Sequence, residues 1–222
     1  MDEIGYFSVI RHEILEIIPQ GDHRILDIGC GTGATLKRLK DCGKAMETCG
    51  IEMNRDASII AKQQADMILT GDAGTIDIPF EKNYFDYILF CDILEHCYNP
   101  DQILEKYASY LKDEGLVIAS IPNIKYYKIL CKLIFLDRFE YQNEGILDKS
   151  HIRFFTKREI VNLFSRSGYE ILSIMPKIGE KVLVRDTLLH SSLKKIPGSS
   201  FFTFQYCLIC RKRNCSNPIH SC

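Results

Sequence analysis

The chain reads Ile25-Leu26-Asp27-Ile28-Gly29-Cys30-Gly31-Thr32-Gly33-Ala34 at the point that decides its fold. Apolar pairs on either side of an acid predict a buried strand, and this strand runs directly into three glycines at alternate positions. Glycine tolerates a positive φ and lets a ligand lie against the peptide plane, because it has no Cβ. The helix predicted after the loop points its free N–H groups toward the same place. The stretch therefore indicates a site for a nucleotide-like cofactor.

Two classes of cofactor fit this loop. Read as Gly29-x-Gly31-x-x-Ala34, it matches the looser dinucleotide fingerprint, in which the loop binds a pyrophosphate. Read as Asp27-x-Gly29-x-Gly31-x-Gly33, it resembles motif I of the class I S-adenosylmethionine-dependent methyltransferases, where the loop faces a zwitterionic amino acid. The Asp27 carboxylate would repel a pyrophosphate and attract an ammonium group, which favours the second interpretation. On that interpretation, Gly31→Val is expected to abolish cofactor binding and to leave the fold intact.

Three further acids follow predicted strands in the order that this family shows. Glu52 ends a second strand, and its carboxylate can accept two hydrogen bonds from a ribose diol in either cofactor class. Asp72 follows a third strand, and the resemblance implies that it accepts the adenine amino group while the next backbone N–H contacts the ring. Asp92 follows a fourth strand. The predicted cofactor-binding residues are Asp27, Gly29, Cys30, Gly31, Gly33, Glu52, Met53, Asp72, Ala73 and Asp92.

Length and net charge limit the classes of protein to which this chain can belong. A chain of 222 residues is enough for one domain with a substantial core. Its net charge of −1 gives no long-range field for capturing nucleic acid, so a nucleic-acid substrate is not expected. No signal peptide is recognisable, and the longest apolar stretch, Tyr126 to Leu136, contains two lysines and is too short to span a bilayer. We expect a cytoplasmic protein without an integral membrane segment, and its oligomeric state stays open.

The ten cysteines predict reduced, buried thiols rather than a disulfide framework, because several lie inside apolar runs. Cys207 and Cys210, with further cysteines and a histidine after them, have the spacing of a zinc site. However, they lie in a predicted strand, where residues three apart point to opposite faces. A core strand is therefore the preferred interpretation.

Apolar periodicity predicts strands that alternate with helices along the chain. Helices are predicted from Phe7 to Ile17, at about 34–42, 56–65 and 100–112, and after a capping box at Thr156 and Glu159. Strands five to seven are predicted at 116–121, 169–174 and 204–211. This pattern predicts an α/β fold with a doubly wound, seven-stranded, mostly parallel sheet and helices on both faces.

A single domain is predicted over residues 1–213, followed by a tail at 214–222. Insertions at about 123–155 and 175–203 are longer than this architecture needs, and such loops are usually functional or disordered. Both are expected near the strand ends, where together they could roof the acceptor pocket.

The resemblance to class I methyltransferases covers Arg24 to Lys212. The chain is most similar to small bacterial members, through Leu94-Glu95-His96 with Asn99-Pro100 after it and through the segment from Ser150 to Thr156. Members near that group methylate hydroxyls of quinone precursors, sugars and surface-glycan components. The resemblance implies S-adenosylmethionine as cofactor and a seventh strand antiparallel to the rest. It also implies an acceptor hydroxyl, or less favourably an amine, on a small molecule or a glycan precursor.

An alcohol acceptor loses a proton during methyl transfer, so a base helps. His151 is the first candidate, because it lies in the expected roof beside Arg153, and His96 is the second. Either histidine could instead hold its loop in place or pack beside the cofactor.

Asp92, Glu95 and His96 offer an alternative to a protein base. At positions i, i+3 and i+4 of a helical turn they share a face and could converge on a divalent cation that lowers the pKa of the acceptor. The quinone-precursor O-methyltransferases that this segment resembles hold a divalent ion with similarly placed residues. Asp92, however, is shorter than the glutamate typical of that group, and no metal ligand is assigned.

Two functions from other classes share part of this pattern. A nicotinamide oxidoreductase would share the glycine loop and Glu52 but does not predict an acid at Asp72. A catalytically silent cofactor-binding subunit would share every motif, and only activity or a co-purifying partner distinguishes it from an enzyme.

Overall fold

The computed structural model describes residues 5, 7–178, 181–182 and 199–213, which form one sheet in the order β3-β2-β1-β4-β5-β8-β6-β7. The strands are β1 Arg24–Ile28, β2 Glu47–Glu52, β3 Met67–Thr70, β4 Phe85–Cys91, β5 Leu111–Pro122, β6 Tyr169–Ile178, β7 Lys181–Val182 and β8 Gln205–Lys212. Strands β1 to β5 are parallel to one another, and β8 is antiparallel to both β5 and β6. The predicted mostly parallel sheet with an antiparallel last strand is confirmed, and the two-residue β7 adds a short edge strand.

Helices connect these strands. They are α1 His12–Ile17, α2 Ala34–Asp41, α3 Arg55–Ala61, α4 Pro100–Ala108, α5 Tyr127–Leu136, α6 Lys157–Arg166 and α7 Ser199–Phe202, with a 3₁₀ turn at Leu94–His96. The predicted cap of α6 forms, since Thr156 Oγ1 accepts a hydrogen bond from Glu159 N at 3.4 Å. Pro100 occupies the first position of α4 as predicted, but the Asn99 side chain makes no capping bond.

Alternate residues of each strand divide between two apolar clusters, one on each face of the sheet. In β1, Leu26 and Ile28 belong to one cluster and Ile25 to the other. Cys210 joins the first cluster and Cys207 the second. The expectation that these two cysteines point to opposite faces is confirmed, and they cannot bind one ion.

The first helix is shorter than predicted, because the residues before it are bound to the glycine loop. Thr32 N donates to Phe7 O at 2.9 Å, and Arg11 N donates to Thr35 Oγ1 at 3.1 Å. These contacts hold residues 7–11 in a non-helical path, and α1 begins only at His12.

The predicted ends of two other helices are also wrong. The helix α4 stops at Ala108, and Gly115 lies inside β5 rather than at a helix end. The reason is pairing with the start of β4, since Asn83 N donates to Ser109 O and both Tyr84 N and Phe85 N donate to Tyr110 O. The helix α3 ends at Ala61, and the chain then turns back to pair with β2.

The segment between β5 and α6 contains α5 and returns to the sheet at its end. Asn123 and Phe155 form a bridge, and Ile124 N donates to Phe155 O at 3.0 Å. The start of the second expected insertion, 175–178, belongs to β6, whereas 183–198 and the expected tail lie outside the described residues. Among the described residues, no helix is long and apolar enough to cross a membrane.

Candidate functional site

The three alternate glycines form a tight loop between β1 and α2. Gly29, Gly31 and Gly33 have φ values of 76°, 56° and 77°, in the left-handed region that side chains disfavour. Gly29 N donates to Ile51 O at 2.8 Å, and Gly33 N donates to Cys30 O at 2.9 Å. Backbone hydrogen bonds within the loop and to β2 therefore hold its conformation.

Gly31 is required by the protein itself as well as by a cofactor. A Cβ built there would overlap the carbonyl oxygen of Phe7, which crosses the loop at this point. The expectation that Gly31→Val would leave the fold intact is wrong for this physical reason, since the side chain would displace the N-terminal segment.

Glu52 joins the end of β2 to the glycine loop. Its Oε2 accepts a hydrogen bond from Gly31 N at 2.8 Å, and its Oε1 accepts one from Asn54 N at 2.7 Å. Each carboxylate oxygen can accept a second bond, so Glu52 can hold the loop and a ribose diol at the same time. The second role stays a prediction from the sequence, and the first has no signal in the sequence.

Asp27 is a buried carboxyl whose Oδ1 has no hydrogen-bond partner in the described part of the chain. Burial raises the pKa of Asp27 to about 7, although the nearby Arg11 cation acts in the opposite direction. A buried, unpaired carboxylate is costly until a cation or donor reaches it. The ammonium group of an amino-acid cofactor fits this requirement.

Two predicted residues lie on the outer rim of the site. Asp72 is exposed, and its Oδ1 accepts a hydrogen bond from Gly74 N at 2.7 Å. Ala73 is held in place, since its carbonyl oxygen accepts bonds from Tyr107 Oη at 2.8 Å and Lys106 Nζ at 3.0 Å.

Two other predicted cofactor-binding residues, Met53 and Cys30, differ in whether a ligand can reach them. Met53 is 71% exposed beyond β2, so its side chain is open to a ligand. Cys30 is buried in the core against Gly50, and its backbone N–H and carbonyl are already bonded to Ile51 O and Gly33 N. Its part in the site is to shape the loop.

Asp92, at the end of β4, is tied to three other segments of the chain. It has a φ of 53° and accepts a hydrogen bond from Ser120 Oγ at 3.1 Å. It also forms an ion pair with Arg11 and a hydrogen bond with Gln205. The sequence analysis missed these three partners, because they come from distant positions without a spacing signal.

Glu95 and His151 lie together just beyond β4. Glu95 is 1% exposed, and neither of its carboxylate oxygens has a hydrogen-bond partner among the described residues. His151 Nε2 lies 3.9 Å from Glu95 Oε1. Burial raises the pKa of Glu95 well above its usual range, and the negative charge of Asp92 adds to this shift.

The backbone brings these two residues together although they are distant in sequence. Ile152 N and Arg153 N both donate to Glu95 O at 3.0 Å. The first expected insertion thus places His151 beside the end of β4.

His96 completes a cluster with Glu95 and His151. The two imidazole rings are 4.7 Å apart between centroids, and burial, together with the neighbouring His151, lowers the pKa of His96. His151 Nδ1 lies 3.0 Å from Ile146 O, and His96 Nδ1 lies 3.2 Å from Ser150 O. A carbonyl oxygen only accepts, so each Nδ1 carries a proton, and Nε2 is the ring nitrogen that can accept one.

The chemistry of this cluster suits a divalent cation. One ligand atom from each of Glu95, His96 and His151 lies within 4.8 Å of the others. Carbonyl oxygens that orient both histidines are the usual second layer of a metal site. Asp92 is not part of this group, because Arg11, Ser120 and Gln205 occupy its carboxylate. The set Asp92, Glu95 and His96 considered from sequence is therefore corrected, with His151 in the place of Asp92.

The glycine loop and the acids after β2, β3 and β4 lie along the carboxyl edge of the parallel strands, where the strand order reverses between β1 and β4. Fold and site thus define an α/β protein that binds a nucleotide-like cofactor. The chain belongs to the family described as "Methyltransferase domain", whose profile matches residues 4–174. It is an enzyme of methyl transfer, and its cofactor is S-adenosylmethionine.

The chain is also similar to individual proteins. The chain is 28% identical over 183 residues to an uncharacterized protein of Methanocaldococcus jannaschii, covering 75% of this chain and 69% of that protein. It is 30% identical over 109 residues to the ubiquinone biosynthesis O-methyltransferase of Glaesserella parasuis, covering 45% of each. A crystal structure of an Archaeoglobus fulgidus SAM-dependent methyltransferase superposes with a TM-score of 0.66 at 18% identity over 90% of both chains, which shows the shared fold.

Proposed function

We propose that the protein methylates a hydroxyl group of a small molecule, with a quinone precursor or a sugar of a surface glycan as the acceptor class. The observation that carries this proposal is the buried cluster of Glu95, His96 and His151 beyond β4. A hydroxyl must lose its proton as the methyl group arrives, whereas a neutral amine is already nucleophilic. A site with two basic imidazole nitrogens beside an unpaired carboxyl suits the former acceptor.

The cofactor residues follow the same assignment. Bound S-adenosylmethionine supplies an electrophilic methyl group. We assign its ammonium group to Asp27, its ribose diol to Glu52 with Met53 beside it, and its adenine to Asp72 and the backbone of Ala73. The glycine loop and Asp92 complete the wall of this crevice. These residues bind and orient the cofactor, so that the acceptor oxygen can be aligned for displacement.

His151 is assigned as the base. Its Nδ1–H is committed to Ile146 O, so the free Nε2 faces the Glu95 carboxyl and can take the acceptor proton. The imidazolium formed would stabilise the ionised form of Glu95, which burial otherwise disfavours. His96 is the second candidate, since its Nδ1 is held in the same way by Ser150 O.

Replacement of His151 tests this role. His151→Ala should lower kcat by roughly 10²–10⁴, while the Kd for S-adenosylmethionine stays within about twofold of wild type. The assay follows label from methyl-labelled cofactor into a panel of phenolic quinone precursors and nucleotide sugars. His12→Ala, on the exposed side of α1, is the matched control. Near-normal turnover by His151→Ala on the true acceptor would assign His151 a structural role.

A second candidate, a metal-assisted O-methyltransferase of a quinone-like precursor, is favoured by the same cluster. Glu95, His96 and His151 would hold the ion, which would lower the pKa of the acceptor hydroxyl. The name of the Glaesserella parasuis relative supports a quinone-type acceptor. Titration of the purified protein with Mn²⁺ or Zn²⁺ by calorimetry should give one site that Glu95→Gln abolishes. Full turnover in excess chelator, on an acceptor that the wild type methylates, would refute this candidate and leave the protein base.

A further inference from the structure

The helix α5 is not covered by the protein core. It buries none of its residues, whereas the other helices of eight or more residues in the described part of the chain, α2, α4 and α6, each bury at least three. Ile134, Phe135 and Leu136 are 68%, 76% and 59% exposed. Several exposed apolar side chains on one uncovered helix usually mark an interaction site.

Aromatic rings continue this surface on both sides of the helix. Phe139 and Tyr141 are exposed, and their ring centroids are 5.7 Å apart. On the other side, Tyr127 contacts the exposed Phe202 with centroids 5.6 Å apart. We call α5 with Phe139, Tyr141 and Phe202 the α5 face.

The α5 face is positively charged, although the chain as a whole is not. Between residues 124 and 141, the cations Lys125, Lys128, Lys132 and Arg138 stand against the acids Asp137 and Glu140. The whole chain has a net charge of −1. Apolar and aromatic side chains beside lysines are the composition of helices that lie on membrane surfaces.

We propose that the α5 face binds the surface of an anionic lipid bilayer. A ten-residue helix is about 15 Å long, half the thickness of the hydrocarbon layer, so it lies in the interface and does not cross it. Its apolar side chains enter the boundary between headgroups and acyl chains, and its lysines reach the lipid phosphates. A twofold contact with a second copy is disfavoured, because it would bring two positively charged copies of the face together.

Because of the position of α5, binding to a bilayer would also determine where the enzyme meets its acceptor. The helix belongs to the same segment, between β5 and α6, that carries His151 to the end of β4. A bilayer-bound enzyme would therefore receive its acceptor near the lipid interface. The binding itself does not depend on the identity of the acceptor, so the two proposals can fail separately.

Vesicle flotation tests the proposal with the full chain. Wild-type protein should float with phosphatidylcholine vesicles that contain about 30% phosphatidylglycerol, and at least about fivefold less should float with phosphatidylcholine alone. The double variants Ile134→Ser/Phe135→Ser and Lys128→Glu/Lys132→Glu should each lose at least about fivefold of the bound fraction. Ile59→Ser on α3, which removes an equally exposed apolar residue, and Lys62→Glu/Lys82→Glu should bind like wild type.

A fluorescence measurement on a single introduced tryptophan tests membrane binding without depending on how much of each variant folds. The chain contains no tryptophan, so Phe135→Trp introduces a unique reporter, and Ile59→Trp serves as its control. The emission of Phe135→Trp should shift to shorter wavelength on anionic vesicles, and that of Ile59→Trp should not. Equal binding to neutral and anionic vesicles would overturn the proposal, as would binding that the α5 variants leave unchanged. Self-association that is lost in Ile134→Ser/Phe135→Ser, without vesicle binding, would assign the face to a second copy instead.

Discussion

Replacement of Glu52 by glutamine changes a single atom and tests both roles of this residue, anchoring of the glycine loop and binding of the ribose. Glu52→Gln keeps the shape of the side chain but turns one acceptor oxygen into an NH₂ donor. Gly31 N and Asn54 N each need an acceptor at 2.8 and 2.7 Å, so one of them would face a donor. An unsatisfied donor in a buried position costs about 1–3 kcal/mol, and we expect the free energy of unfolding to fall by about that amount.

The same substitution should also weaken the binding of the cofactor. A hydrogen bond to a charged acceptor contributes about 1.5–3 kcal/mol, so loss of one ribose contact should raise the Kd for S-adenosylmethionine roughly 10- to 150-fold. Urea denaturation measures the first effect and calorimetry the second. The control is Glu81→Gln at an exposed position. Stability within about 0.5 kcal/mol of wild type would refute the anchoring of the loop, and a Kd within about twofold would place the ribose elsewhere.

Three further predictions follow from the site. Because the pKa of Asp27 rises from 3.8 to about 7 on folding, ionisation of Asp27 should lower the free energy of unfolding as pH rises between these values and should raise cofactor affinity as pH rises through 7. Asp27→Asn should remove this part of both pH dependences and leave the part that other groups such as Glu95 contribute, as denaturation and calorimetry at several pH values would show. Asp92→Asn should lower the free energy of unfolding by about 1–3 kcal/mol, because it removes the charge that pairs with Arg11, and an unchanged urea midpoint would contradict this. Gly31→Ala should cost more than about 1 kcal/mol from its φ of 56° alone and should expose residues 7–11 to protease, whereas Gly43→Ala, with open space around its Cβ position, should cost only the backbone strain and expose nothing there.

The positions of the glycine loop and of the acids after the strands were predictable because they depend on local sequence. A parallel strand fixes the direction in which the chain leaves the sheet, so a glycine loop or an acid directly after β1, β2, β3 or β4 must arrive at one edge. The positions of Asp27, Glu52, Asp72 and Asp92 relative to the predicted strands therefore predict where these residues lie in the fold. The same locality explains the success of the alternation argument for Cys207 and Cys210, since strand geometry alone puts them on opposite faces.

Helix ends were less predictable, because competing long-range bonds decide them. Nothing in the sequence near Ala108 shows that the backbone after it will pair with the start of β4. Likewise, the apolar spacing from Phe7 to Ile17 suits a helix, but hydrogen bonds from Thr32 N to Phe7 O and from Arg11 N to Thr35 Oγ1 hold the start of this segment in another conformation.

The sequence by itself determined the order of the main strands and helices and the edge of the sheet at which the glycine loop and the acids lie, because each depends on neighbours within a few residues. Only the tertiary structure decided that His151 meets Glu95 and His96, that Arg11 and Gln205 occupy Asp92, and that the described residues leave α5 uncovered. These contacts join segments up to 113 positions apart, and their geometry depends on how the connecting loops pack on the finished sheet. Such packing balances burial, hydrogen bonding and chain entropy over the whole molecule, and no local pattern encodes it.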